Sequence, residues 1–324
     1  MSSLRTISYP QCYLCGTEGS WLYQNLADYL FRVPGQWQLK TCNNPACQLV
    51  WLDPMPIVED LPHAYLNYYT HVTQQVTANS ILHRLDRKLY KKIRLFLAKV
   101  TGMSIEKAKS ADLFLSEHVP GKLLDVGCGD GRFLVHMHDK GWEVEGTDFD
   151  PGAVETVRKQ LNLTVHLGNL ADIHYPDQYF DAITLKHVIE HIPKPLELLI
   201  ECRRILKPSG QLVLVTPNMA SWGHRYFRQH WRGLEPPRHL FLFSPQNLSV
   251  LTQKAGFHSL QTFTTAAGAE FILAKSDEIL RLSRQQQPRQ FFVLSTLWLL
   301  AYYEWWAMRN HPEMGEELVV MAKK

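Results

Sequence analysis

Three sets of residues in this chain have the types and spacing to do chemistry. The first is "KHVIEHIPKP", Lys186 to Pro195, where His187 and His191 stand four apart with Glu190 between them. That order matches H-x-x-E-H, a zinc-hydrolase signature in which two imidazoles hold the metal and the acid handles protons. The second is a glycine run, Gly127, Gly129 and Gly131, in "LLDVGCGDGRF". Glycines so placed let the backbone approach a ligand with no Cβ in the way. The third is a set of four cysteines in two close pairs, Cys12 with Cys15 and Cys42 with Cys47. Four soft thiolates can close a tetrahedral zinc site, with no position left for water. Gly16 follows the first pair, where the knuckle needs a permissive backbone.

The elements around each set decide between readings. A two-histidine zinc motif needs both rings on one face of a sustained helix. Pro193 and Pro195 follow His191 too closely to allow one. A short apolar strand, Leu123 to Val126, runs into the glycines, and an amphipathic stretch follows. The next strand, "WEVEGTD", ends in Asp148, about 20 residues on, where an acid can bond ribose hydroxyls. "LTVHLGN", "FDAITLK" and "GQLVLVTP" continue as strands, with "LELLIECRRIL" as a helix between the last two. This alternation predicts an α/β chain with a doubly wound, mostly parallel sheet. His187 then follows directly on the fourth strand, at the carboxyl edge where open α/β sheets bind ligands.

With "GTDFDP", "YFDAITLKHVIEHIPKP", "ECRRILKPSGQLVLVTPN" and "PPRHLFLFSPQNLSVLTQKAGF" in order, residues 123–264 resemble the class I S-adenosylmethionine-dependent methyltransferases, especially those acting on small molecules. "GEELVVMAKK" resembles that family's last strand, which makes the expected sheet seven-stranded. The spacing G-x-G-x-G differs from the G-x-G-x-x-G of nicotinamide enzymes. The resemblance implies S-adenosyl-L-methionine as cofactor. Its amino-acid end would lie over Gly127, Cys128 and Gly129, with Gly131 completing the turn and Asp125 in support. Asp148 would take the ribose, with Phe149 beside it. Asn169, where the family often has aspartate, and the backbone of Leu170 would hold the adenine; Lys186 would line the site.

In such an enzyme the sulfur leaves neutral and needs no acid, whereas a hydroxyl acceptor can need a base. His187 is the first candidate, and His239 the rival. His239 lies in "WRGLEPPRHLFLFS", whose Trp231 and Arg238 are candidates to grip the acceptor. His191 and Glu190 are read as structural.

The expected organisation is a zinc-binding cysteine element over 1–60, a helical linker or cap over 61–119, and a methyltransferase domain over 120–324 with an insertion at 269–312. "LDRKLYKKIRLFLAKV" in the second part has helical spacing. The insertion holds the longest apolar run, "FFVLSTLWLLAYYEWW", which contains Glu304 and is short of a bilayer span of roughly 20 residues. It reads as a cap or packing element, or as peripheral membrane contact through 289–306.

The 324 residues are 45% hydrophobic and carry a net charge of +3, which gives no electrostatic case for nucleic acid. No apolar leader precedes the first cysteines, so the expectation is a cytoplasmic protein whose cysteines bind metal rather than pair. The expected function is methyl transfer to a small hydroxylated acceptor, a sugar or glycan precursor. The alternatives are a quinone-like lipid, ribosomal RNA, or a non-catalytic zinc-binding adaptor.

Overall fold

The computed structural model describes residues 4–66, 98–99, 102–286 and 292–324. The periodic stretch Leu85 to Leu97 and residues 289–291 of the expected membrane-contact segment lie outside the described residues.

The central sheet is built from β6 (Lys122–Val126), β7 (Glu143–Asp148), β8 (Thr164–Leu167), β9 (Phe180–Lys186), β10 (Leu206–Pro217), β12 (His258–Thr265) and β13 (Glu317–Lys323). Their order is β12-β13-β10-β9-β6-β7-β8. β6 to β10 pair in parallel, and β13 runs antiparallel to both β10 and β12. This is the expected seven-stranded, doubly wound sheet. Its strands alternate between two apolar faces. Leu124, Ile183, Leu185, Leu212 and Leu214 point to one core, and Leu123, Ala182, Val213 and Val215 to the other. Both faces are covered, which is why these strands read as nearly unbroken apolar runs. The crossovers include α2 (Arg132–His138), α3 (Pro151–Thr156) and α4 (Pro195–Ile205). α3 starts at an Asp150 cap with Pro151 in its first turn, and it runs on into a wider turn, Val157–Leu161.

The cysteine region forms an antiparallel sheet with an unexpected member. β2 (Gly19–Leu26), β3 (Trp37–Cys42) and β4 (Val50–Leu52) are joined by β11 (Phe241–Leu242) from the far half of the chain. β1 (Thr6–Ile7) and β5 (Met55–Pro56) make a separate pair. Trp51, Leu39 and Leu52 sit in one apolar cluster with Leu240, Phe241 and Leu248, where Leu248 belongs to α6 (Pro245–Lys254). Polar contacts add to the join: Tyr13 donates to Glu197 at 2.7 Å, and Asn247 donates to the Cys47 carbonyl at 3.3 Å. Residues 4–60 thus share both a sheet and a core with the remainder.

Between residues 61 and 119 the described elements are a 3-10 turn, Val58–Tyr65, and α1 (Met103–Ala111). In the insertion, α7 (Ala269–Ser283) packs against α8 (Phe292–Ala307). α8 turns Glu304 and Trp305 inward, where Glu304 accepts from the Glu316 amide at 2.9 Å. Leu299, Tyr303 and Trp306 of the same helix are exposed. No helix among the described residues is long and apolar enough to cross a membrane.

Candidate active site

The glycine turn between β6 and α2 uses each glycine for a different reason. All three have left-handed φ: +73° at Gly127, +53° at Gly129 and +74° at Gly131. A Cβ on Gly127 would lie 2.4 Å from Val188, and one on Gly131 would lie 2.9 Å from Val157. Those two glycines are there for packing. A Cβ on Gly129 would meet nothing within 4 Å, so this residue faces open space, as a backbone that receives a ligand must. Asp148, at the tip of β7, is held in place from two sides. Its Oδ2 accepts from the Gly129 amide at 2.8 Å and its Oδ1 from the Asp150 amide at 2.9 Å. Phe149 beside it is 63% exposed, and Asn169 and Lys186 also reach the surface. Leu170 is buried, so it can offer only backbone.

Two of the expected residues lie beneath the cleft. Asp125 is buried, and its Oδ1 accepts from the Thr184 hydroxyl at 2.6 Å. Burial, with the charge of Asp148 adding, pushes its carboxyl up to about 7 against that hydrogen bond. The Cys128 side chain is buried against Gly146 and leaves only its backbone for a ligand.

His187 follows β9 with a φ of +54° and keeps 37% of its side chain open. Its Nε2 is 2.9 Å from Glu317 Oε1, and its Nδ1 is 3.4 Å from Glu190 Oε1. Burial pulls the imidazole down, but the two carboxylates outweigh it and raise its pKa to about 9. This corrects the expectation of a general base. With Nε2 bonded to Glu317 and Nδ1 facing Glu190 across 3.4 Å, both ring nitrogens are turned to carboxylates and neither is free to take a substrate proton.

The loop after β10 brings a second correction. His239 is 3% exposed, and its Nδ1 donates to the Gly233 carbonyl at 2.7 Å. Burial lowers its pKa to about 3. It is sealed in the interior and is not a rival base. Arg238 and Trp231 are each 1% exposed. Arg238 Nε donates to Glu235 at 2.9 Å and its Nη1 donates to Asp28 at 2.8 Å, while Trp231 donates to Glu316 at 2.7 Å. Arg232 also pairs with Glu235. These side chains anchor the loop to the N-terminal sheet and to β13 and do not grip an acceptor. They border a cavity of about 200 Å³ between Gln24–Phe31, the loop and Ile279, but no residue at the ends of β6, β7 or β9 lines it.

The four cysteines converge as expected. Cys12 and Cys47 Sγ are 3.6 Å apart, and Cys15 and Cys42 Sγ are 3.4 Å apart. Four sulfurs around zinc at 2.3 Å stand roughly 3.8 Å from one another, so the cluster fits that ion with small adjustment. The Gly16 amide closes the first knuckle on the Cys12 carbonyl at 2.9 Å, at a φ of +73°.

Glu317, Glu235 and Asp28 had drawn no notice in the sequence. The signal that could have marked Glu317 is its place at the start of a strand beside the fourth, where an acid among apolar residues needs a buried partner.

A family model described as a methyltransferase domain matches residues 82–262, more than half of the chain. A "probable S-adenosylmethionine-dependent methyltransferase" of Mycolicibacterium smegmatis is 30% identical over 151 residues, 45% of this chain and 56% of that protein. The ubiquinone biosynthesis O-methyltransferase of Alkalilimnicola ehrlichii is 34% identical over 105 residues, 30% of this chain and 42% of its own length. The demethylmenaquinone methyltransferase of Deinococcus radiodurans is 33% identical over 128 residues, 37% of this chain and 53% of its own. The chain thus spans about half the length of the curated relatives it matches. A solved S-adenosylmethionine-dependent methyltransferase from Archaeoglobus fulgidus superposes with a TM-score of 0.46 at 21% identity, over 71% of this chain and 98% of that one. By its matched domain, taken with its own sheet order, the chain belongs to the methyltransferase-domain family, as a class I S-adenosylmethionine-dependent member.

Proposed function

We propose that the protein transfers the methyl group of S-adenosyl-L-methionine to a small hydroxylated acceptor, and that Cys12, Cys15, Cys42 and Cys47 hold a structural zinc ion. The observation that carries the first claim is the pairing of Gly129, open to space, with Asp148, whose two oxygens are fixed by the turn's own amides. In this reading the Gly127–Gly129 backbone takes the amino-acid end of the cofactor and Asp148 takes its ribose hydroxyls. Phe149 lies against the adenine, and Asn169 with the Leu170 backbone bonds its edge. Bound there, S-adenosylmethionine supplies an electrophilic methyl on a sulfur that departs neutral. The protein's share is alignment and the exclusion of water, worth several kcal/mol. His187 sits at this floor as a fixed donor, oriented by Glu317.

That donor separates acceptor classes. A sugar hydroxyl needs a base, and neither His187 nor His239 is free to be one. A phenolic hydroxyl ionises near pH 10 unaided, as tyrosine does, and an adjacent cation lowers that further. The acceptor reading therefore moves from a glycan precursor toward a quinone-like phenol, the class named in two of the relatives. The exposed stripe of Leu299, Tyr303 and Trp306 suits an apolar acceptor of this kind.

Calorimetry with S-adenosylmethionine tests the cofactor site, and an absence of binding would leave only the adaptor reading. Transfer of labelled methyl to extracted quinol lipids, glycans and RNA then ranks the acceptors.

A further inference from the structure

The H-x-x-E-H stretch after β9 has a use the methyltransferase reading does not absorb. His187 takes no part in it. Glu190 and His191 meet His239 from the loop instead, and one ligand atom from each of the three lies within 4.8 Å of the other two. The rings of His191 and His239 stand 4.7 Å apart, edge to face.

Three observations bear on what the trio holds. First, Nδ1 of His191 is 3.1 Å from the Arg238 carbonyl, with the Tyr65 hydroxyl also 2.9 Å away, and Nδ1 of His239 is 2.7 Å from the Gly233 carbonyl. A carbonyl only accepts, so Nδ1 of His239 carries the hydrogen; Nδ1 of His191 is taken up by the Tyr65 hydroxyl and the Arg238 carbonyl, and Nε2 is the atom that each ring has left to offer. Pinning one ring N–H on a backbone carbonyl is how metal-binding histidines are oriented. Second, Nε2 of His239 faces Glu235 Oε2 at 3.3 Å. That oxygen is a carboxylate acceptor already paired with Arg232, so it brings Nε2 no donor. Third, Glu190 is 0% exposed, and while its Oε2 accepts from Thr216 at 2.9 Å, its Oε1 has no hydrogen bond, the His187 Nδ1 being 3.4 Å away.

We propose that Glu190, His191 and His239 form a second metal site, distinct from the cysteines, that takes a divalent ion of the zinc class. Two imidazoles and a carboxylate suit zinc and its neighbours rather than magnesium or calcium. Ligands around such an ion lie about 3.4 Å apart, so the trio closes by up to about 1.4 Å on binding. His191, which is only part-buried, has the freedom to make that move. The ion would clamp the turn after β9 to the loop that carries Arg238. The proposal does not rest on the methyltransferase reading.

The test is a cobalt titration of the full-length protein followed by absorbance, since thiolate ligation gives a charge-transfer band that imidazole and carboxylate do not. The expected result is one equivalent with only ligand-field bands, beside any equivalent showing the thiolate band. Glu190→Gln, which keeps an acceptor for Thr216, and His239→Gln are each expected to weaken the non-thiolate equivalent at least tenfold and to leave the thiolate band intact. Zinc should also raise the melting temperature of the wild type by an increment that Glu190→Gln lacks, a readout that does not depend on the second variant folding. The proposal is overturned if the wild type takes up only thiolate-bound metal, or if Glu190→Gln binds the second equivalent as well as the wild type does.

Discussion

The turn after β6 and the loop after β10 both present residues of catalytic type, yet they use them in opposite ways. Around the first, Gly129, Phe149, Asn169 and Lys186 are open, and the Asp148 carboxylate is fixed by the amides of Gly129 and Asp150. At the second, Trp231, Arg238 and His239 are buried; the donors of Trp231 and Arg238 go to Glu316, Glu235 and Asp28, and Nδ1 of His239 goes to a backbone carbonyl, which leaves only its Nε2 to offer. An arginine, a tryptophan and a histidine in a proline-stiffened loop read as a binding site. In the fold they are the bolts of a scaffold. The difference lies in whether each polar atom already has a partner inside the protein, because burying one without a partner is costly.

Substitutions can break or sharpen that contrast. The largest stability effect belongs to the loop. Glu235→Gln removes the buried carboxylate that Arg232 and Arg238 share, leaving Asp28 as the carboxylate beside Arg238, and should destabilise by about 3–5 kcal/mol, measured by denaturant unfolding. Within the glycine turn the contrast recurs on a smaller scale. Gly127→Ala meets Val188 at 2.4 Å in a left-handed backbone and should cost about 2–4 kcal/mol, whereas Gly129→Ala pays only the backbone strain of about 1 kcal/mol while obstructing the cofactor. Equal loss of stability in the two would contradict the division between packing and receiving glycines. Asp148→Ala should weaken S-adenosylmethionine by about 2 kcal/mol, roughly thirtyfold, and leave the melting temperature near that of the wild type; calorimetry and a thermal melt check both halves.

A modest effect is the pH response of His187. Its pKa is raised in the folded state to about 9 from an ordinary 6.5, so its stabilising contribution is complete below about pH 6.5 and disappears as the pH climbs through 9. With a third of the side chain open to water, the loss should be about 1–2 kcal/mol, and His187→Gln should flatten the stability profile across that window.

Much of the fold was legible because it is written in local patterns. Strand and helix periods alternate from Leu123 onward, and glycines and an acid close the first two strands at the expected spacing. The cysteine pairs also announced their meeting, since four thiols need one another wherever they converge. What the sequence hid were partnerships across long stretches of chain. Nothing near Phe241 says that it will pair with Trp51, and nothing near His187 says that Glu317, 130 residues on, will hold it. The same is true of Arg238 and Asp28, 210 residues apart. Residue type was read correctly in each case, and the error lay in assuming that a reactive side chain was unattached. Burial decides that, and burial is a property of the assembled layers.

Leu240 is the splice between the two halves of the molecule. Its amide donates to the Glu190 carbonyl at 2.8 Å, and its own carbonyl accepts from the Leu52 amide at 2.9 Å. A single peptide thus couples the turn after the fourth parallel strand to the hairpin that the cysteines staple. Oxidising those thiols, or removing the zinc proposed for them, would slacken a connection that ends a few ångströms from His187. A disturbance among those amino-terminal thiols would then be felt at the proposed cofactor cleft, by way of one residue's two hydrogen bonds.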